Sequence, residues 1–413
     1  MDNPLFTRSI AILLTFFLAC ELDTFAGDWP QWRGPMRNGH SEEELPVGSE
    51  LILPTVWETS VGTGMSSLVV SQNRLVTIGN VDDHDIVQCL DATTGDSLWQ
   101  HRYPEPLDPN LFEGGPTSTP LIVDGTVYTI SRQGKIFALG LESGLVQWEF
   151  DVLEELELNV PTWGFSGSPL QYGETVIFNV GSHGLALNRQ SGEIVWQSNN
   201  DEDAGYTSPT IFESGGKDYC LIVSGKTFNV VRPESGEVVA SERWITRYGI
   251  NAADPIVLDE EHILLSSGYG KGTALFQFDD EELSQLWRNR DLRIQMSPGV
   301  LVDGIVYGID GDAGNESALV CLNPMTGDAY WKETIPGPAS LLVAENAIGM
   351  LGESGLWTQF RNSKEGFESL GESEVNSTRC WTPPVLAHGR LYTRNANGRI
   401  VCSDVQVSAA EGQ

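Results

Sequence analysis

The sequence predicts an all-β fold, an eight-bladed β-propeller of four-stranded antiparallel blades. Three observations carry that prediction. The element CLDATTGDSLW (89–99) recurs along the chain. Short apolar runs separated by turn residues precede each copy. One more copy is divided between the two ends of the chain.

The copies are ALGLESGLVQW (138–148), ALNRQSGEIVW (186–196) and CLNPMTGDAYW (321–331). Two are degraded: NVVRPESGEVVA (229–240) has Ala240 in place of the Trp, and FQFDDEELSQLW (276–287) keeps Trp287 and loses the Gly. The motif glycines Gly95, Gly144, Gly192, Gly236 and Gly327 set a period of roughly 46 residues, which is in the propeller or solenoid range.

Each unit has an apolar run, Asp-Gly or a similar pair, a second run with Val-Tyr, a Gly-containing turn and a third run that ends in the motif. STPLIVDGTVYTISRQGKIFAL (118–139), SPGVLVDGIVY (297–307) and PPVLAHGRLY (383–392) show the pattern. The runs are short and rich in Val, Ile, Leu and Tyr, so they read as strands, and none is long or periodic enough for an amphipathic helix. The Trp-bearing segment is the fourth strand, and a four-stranded repeat of this length is a propeller blade. Within the motif, the Asp carboxylate can accept backbone N–H groups across the turn. Gly supplies positive φ. The Trp fills the wedge between blades and can send its N–H to a backbone carbonyl.

Trp99, Trp148, Trp196, Ala240, Trp287 and Trp331 mark six blades, and the segment around Phe360 and Phe367 reads as a degraded seventh. RIVCSDV (399–405) starts a motif and stops, whereas PTVWETSVG (54–62) carries a Trp with no motif before it. Joined, they make an eighth blade in which the first strand pairs with the last three and closes the ring, which removes free sheet edges. The expected division is a leader at 1–26, an N-terminal arm at 27–50, the propeller at 51–406 and a tail at 407–413.

The A-x-D-x-x-T-G-x-x-x-W repeat resembles the tryptophan-docking motif of quinoprotein-type propellers, the PQQ-like repeat family, and in particular its BamB-like secreted bacterial members. WPQWRGPMRNG (29–39), GYTSP (205–209), SSGYGKG (266–272) and CWTPP (380–384) resemble recurring segments of those proteins. The resemblance covers nearly the whole mature chain and is specific for fold. It is weak for activity, because one fold hosts many functions. Two functions are implied: a non-enzymatic binding or assembly scaffold, or a PQQ-dependent dehydrogenase or a cofactor-binding descendant of one. The dehydrogenases so resembled carry an adjacent Cys-Cys pair, a calcium site of Glu, Asn and Asp, and a catalytic Asp. This chain has no adjacent cysteines. The expected reading is therefore a scaffold without catalytic residues or cofactor, with PQQ and calcium as the alternative.

Arg8 and the apolar run IAILLTFFLA (10–19) read as an export leader too short to span a bilayer. Two endings compete. Thr24-Phe25-Ala26 before Gly27 is an acceptable cleavage site, and Phe17-Leu18-Ala19-Cys20 resembles a lipobox that would lipidate Cys20. Either ending places the protein in the periplasm or cell envelope, with the membrane involved only through such an anchor, and a monomer is expected. The formal net charge is −33. That surface repels nucleic acid and anionic lipid. Cys89, Cys321 and Cys402 share a repeat slot with Ala138 and Ala186, where a small buried residue is wanted. Cys380 and Cys402 are expected on strands one and three of one blade, and no structural disulfide is expected.

Several catalytic patterns are excluded. GYGKGT (268–273) lacks Walker spacing and a following helix. WGFSGS (163–168) is not a nucleophile elbow. The six histidines are scattered. DGDAGNES (310–317) could offer calcium the oxygens of Asp310, Asp312, Asn315 and Glu316, but its spacing departs from an EF-hand loop, and a solvated loop between two strands is the plainer reading. DDHD (82–85) reads as a hairpin tip. Loops entering the first strands should meet at one mouth of the central channel. They would bring together Trp163, Tyr206, Arg247, Asn251, Arg293, Arg379 and Trp381. Arginines among aromatic rings suit a small anionic or sugar-like ligand. The other expected partner is a protein of the cell envelope. Trp29 and Trp32 are expected to dock the arm on the propeller.

Overall fold

A computed structural model describes residues 27–108, 112–199, 202–312 and 316–406. The leader with both of its candidate endings, and the tail, lie outside those residues. The described chain forms eight four-stranded antiparallel sheets arranged as a propeller. Its single helical turn is Val152–Glu155, capped by the Asp151 carboxylate.

Blade one is a meander of Val69–Ser71, Arg74–Val81, His84–Asp91 and Ser97–Pro104, and the pattern repeats through blade seven, which ends with Ser369–Glu374. Blade eight takes Val385–Ala387, Arg390–Arg394 and Arg399–Asp404 from the end of the chain and Thr55–Ser60 from its beginning. Thr55–Ser60 pairs antiparallel with Arg399–Asp404, and Trp57 lies opposite Cys402. Ring closure therefore follows the split copy seen in the sequence.

The inner strands are buried on both faces, as in Thr126–Ile130 and Ala339–Val343. Their apolar runs are continuous because each blade packs against a neighbour on either side. The core is accordingly a ring of clusters, each shared between adjacent blades, such as Val76, Val87 and Cys89 of blade one with Val127, Phe137 and Leu139 of blade two. Outer strands bury little except the Trp: in Ile194–Gln197 only Trp196 is buried.

The motif works across the seam between blades. Trp99 Nε1 donates to Leu141 O at 2.7 Å, Trp148 to Arg189 O at 3.0 Å and Trp196 to Pro233 O at 2.8 Å. Each acceptor is the residue just after the acid position of the next blade's motif. The next motif's Gly lies under the same ring. A Cβ on Gly144 would sit 2.5 Å from Trp99, and one on Gly236 would sit 2.6 Å from Trp196. The turn is locked as expected, with Asp91 Oδ1 accepting from Thr93 N at 2.8 Å and Thr94 N at 3.1 Å. The small slot faces the Trp of its own blade: Cys89 opposite Trp99, Ala138 opposite Trp148, Cys321 opposite Trp331. A β-bulge follows that pair on the same strand in each of these blades. The bulge adds local twist to the outer edge.

Two expectations need correction in detail. Cys380 precedes the first strand of blade eight and lies in the incoming loop, where its thiol contacts Ser377 O. DDHD forms a hairpin tip only at Asp82 and Asp83, which hold positive φ. Asp85 begins the inward run and is 1% exposed. Burial pushes its carboxyl up to about 7 against one hydrogen bond from Asn80 Nδ2.

Candidate functional site

The arm enters the channel from one end. Trp29 exchanges backbone hydrogen bonds with Val70 in the first strand of blade one, and Ile122 N of blade two donates to Pro30 O at 2.8 Å. Arg33 Nη2 reaches Gly299 O at 2.6 Å, and Arg37 Nη1 reaches Pro169 O at 3.0 Å. Val343 N donates to Gly39 O at 2.8 Å. The arm thus bonds to chain at the innermost strands of blades on opposite sides of the ring. Both guanidiniums are buried, and desolvation lowers each to about 10. Carbonyl acceptors and the nearby Asp254 offset that penalty. Trp32 donates from Nε1 to Asp254 Oδ2 at 2.6 Å.

Trp32 forms the floor of a cup of about 200 Å³ on the side where the incoming loops converge, with Phe112, Trp163, Tyr206, Tyr269 and Trp381 in its wall. Phe112 stacks on Trp163 with centroids 5.8 Å apart and meets Trp381 edge-on at 4.9 Å. Tyr206 holds this wall to the next blade. Its hydroxyl accepts from Trp163 N at 3.3 Å, and its own N donates to Asn251 O at 2.8 Å. Tyr269 takes a hydrogen bond on its hydroxyl from Gln295 Nε2 at 2.8 Å. The surface offered is mostly π-face, edged by hydroxyls such as Ser166 and Thr117, which bond to each other at 2.8 Å.

Of the residues expected at the mouth, Trp163, Tyr206 and Trp381 line this cup together. Arg379 flanks it. Its guanidinium lies 4.9 Å from the Trp381 ring and 5.5 Å from Phe112, and pairs with Glu113 at 2.8 Å and Glu353 at 3.5 Å. The other three do not line it. Arg293 forms a two-pronged pair with Asp310, at 2.8 Å and 2.7 Å. Arg247 lies over Tyr248, 5.1 Å from its ring centroid. Asn251 is buried and donates to Ser224 O and Trp244 O while accepting from Ser267 Oγ. Arg379 and Arg293 are consumed by acids, as expected where acids greatly outnumber bases. The loop carboxylates are likewise engaged: Asp310 also accepts from Arg293 N, and Asp312 accepts from Tyr269 N, both at 2.8 Å. Asn315 lies outside the described residues. Among the described residues no group of three or more His, Cys, Asp or Glu is placed to hold a metal ion.

The donors around the cup do not match those of a PQQ–calcium pair. Its two lining carboxylates are Glu113, held by Arg379, and Asp254, held by Trp32 and by Ser208 N at 2.7 Å. Sequence reasoning missed Trp32 as the floor and Phe112 and Tyr269 as walls. Tyr269 sits on a hairpin between strands two and three, which reaches the same face as the incoming loops; reading that alternation along SSGYGKG could have found it.

Comparison with known proteins agrees with this architecture. The outer membrane protein assembly factor BamB of Yersinia pestis is 24% identical over 383 residues, 86% of this chain and 90% of that protein. The crystal structure of BamB from Moraxella catarrhalis superposes with a TM-score of 0.64 at 15% identity, covering 86% of this chain and all of the other. Quinohemoprotein alcohol dehydrogenase from Comamonas testosteroni superposes at 0.66 with 13% identity, covering 94% of this chain and 82% of the other. At these identities the superpositions establish the shared fold. Residues 83–333, more than half of the chain, match the family described as outer membrane protein assembly factor BamB. The chain belongs to that family.

Proposed function

We propose that this protein is an exported, monomeric scaffold that binds a protein partner in the cell envelope and has no catalytic role of its own. Membership of the BamB family carries the reading. The closed ring supports it, since a rigid frame with loops gathered at one mouth suits binding. The aromatic cup is the proposed point of contact. Its about 200 Å³ admits one side chain or one ring-sized group, not a folded surface. Trp163, Tyr206 and Trp381 would give ring faces to a sugar-like or planar group on the partner, and Arg379, already paired with Glu113 and Glu353, would brace the Trp381 ring. Arg247, Arg293 and Asn251 would act only at the rim or through the frame.

The test is capture of partners from the envelope fraction by the mature protein, compared with a Trp163→Ala, Trp381→Ala variant. The expected result is a defined partner set held by the wild type and lost by a folded variant. Capture that is indifferent to both substitutions would remove the cup from the proposal. Dye-linked alcohol or sugar oxidation after addition of PQQ and calcium would replace the scaffold reading with the oxidoreductase one.

A further inference from the structure

The Glu43 carboxylate is only half satisfied. Glu43 Oε2 accepts from Gly389 N at 2.7 Å. Its other oxygen, Oε1, is buried and has no hydrogen-bond partner. An unpaired buried carboxylate oxygen is costly, so native structures rarely leave one. The start of the arm lies beside it. A Cβ built on Gly27 would lie 3.1 Å from Glu43 Oε1 and 3.1 Å from His388 Nδ1. The next two residues are tied to the propeller. Asp28 Oδ1 meets His388 Nε2 at 2.7 Å, Asp28 Oδ2 accepts from Ser71 Oγ at 2.7 Å, and Trp29 N donates to Val70 O at 2.7 Å. Gly27 also opens on a groove of about 630 Å³ lined by Glu42, Glu43 and Glu44 with His388. Among the described residues no Lys or Arg lines it.

Gly27 is also the residue that follows the Thr24-Phe25-Ala26 cleavage signal. We propose that the mature chain begins at Gly27 and that its new α-ammonium is the missing partner of Glu43. Leader peptidase hydrolysis breaks the Ala26–Gly27 amide. Water supplies hydroxyl to the Ala26 carbonyl carbon and a proton to the Gly27 nitrogen, which takes up a second proton to become an ammonium. A backbone amide with one fixed N–H becomes a cation with three, free to turn toward Oε1. Glycine suits the position, because any side chain would press on Glu43 and His388. Cleavage then completes the anchoring of the arm that carries Trp32 to the channel floor. Cleavage before Cys20 instead would keep Gly27 in an internal amide and leave Glu43 Oε1 unmatched.

The experiment starts from the full precursor, exported from a bacterial host and purified from outside the cytoplasm. N-terminal sequencing and intact mass should show Gly27 as the first residue; a lipidated Cys20, or any other start, overturns the proposal. The mature protein is then treated at pH 7 with a water-soluble acetylating ester, and the rate at the α-amino group is followed by peptide mass. Pairing with a carboxylate favours the ammonium and raises its pKa. A rise of about one unit leaves roughly tenfold less free amine. The α-amino group should therefore react about tenfold more slowly than in Glu43→Gln. Should Glu43→Gln fail to fold, a variant with one Ala inserted before Gly27 displaces the amine and should react at the faster rate. Equal rates in wild type and either variant overturn the pairing.

Discussion

Substitution of Gly236 by Ala tests whether the repeat glycines serve the turn alone or also the Trp of the preceding blade. Gly236 holds φ at +73°, and a Cβ there would lie 2.6 Å from Cε3 of Trp196. Left-handed backbone costs a non-glycine residue about 1–2 kcal/mol. Displacing a well-packed ring adds about 1–3 kcal/mol, so Gly236→Ala should cost about 2–5 kcal/mol. Gly215 is the matched control, with φ of +57° and nothing within 4 Å of a built Cβ. Gly215→Ala should therefore cost about 1–2 kcal/mol. Trp196→Ala removes a buried indole, 7% exposed, and its bond to Pro233 O. It should cost about 3–5 kcal/mol. In the double variant Trp196→Ala, Gly236→Ala the obstruction is gone, so the combined cost should fall short of the sum of the two by about 1–3 kcal/mol. Urea denaturation of wild type and the four variants, followed by tryptophan fluorescence and far-UV circular dichroism, measures the cycle and its control. Equal costs for Gly236→Ala and Gly215→Ala, or strict additivity in the double variant, would refute the coupling of ring to turn.

Three further outcomes are expected. Asp85 is buried with its carboxyl raised to about 7, so the folded state holds this proton more tightly than the unfolded chain. Its contribution to stability should fall as pH rises from about 4 to 7, by up to about 4 kcal/mol. Asp85→Asn should remove that slope, gaining stability relative to wild type in urea titrations at pH 8 but not at pH 4; parallel pH profiles would contradict it. Trp32→Phe keeps a ring on the channel floor but leaves Asp254 Oδ2 without its 2.6 Å donor. It should cost about 1–3 kcal/mol, and hydrogen exchange should rise in residues 29–39 before it rises in the blades. Arg293→Met should barely alter capture of a partner dependent on Trp163 and Trp381, because Arg293 is spent on Asp310; failure of capture would return it to the binding surface.

The degraded motif copies show where reading the chain alone stops. Ala240 in blade four and the missing Gly in FQFDDEEL of blade five look like separate lapses. Across the seam they are two halves of one interaction, since each Trp packs on the next blade's Gly. Phe278 fills the gap, 4.8 Å from Tyr219 and 5.5 Å from Phe212. In blade seven, Gly371 stands opposite Gln359 where the Trp belongs. A Cβ there would collide with Gly48 O, so the arm takes the ring's place. Half of the cup was legible for the same reason. Trp163, Tyr206 and Trp381 stand at matching repeat positions, whereas Trp32 comes from outside the repeat and only its docking could be read.

By itself the sequence determined the blade, the number of blades and the closure of the ring. Those depend on local turn chemistry and on a pattern repeated at fixed spacing, which one chain records along its length. Tertiary structure decided which side chains share the channel and which charges are already spent. Arg293 and Asn251 sit at the right place in their repeats, yet Asp310 and three nearby polar groups satisfy them. Burial and pairing depend on residues tens to hundreds of positions away. The arm's path through the channel, and with it the floor at Trp32, belongs to the same class of fact.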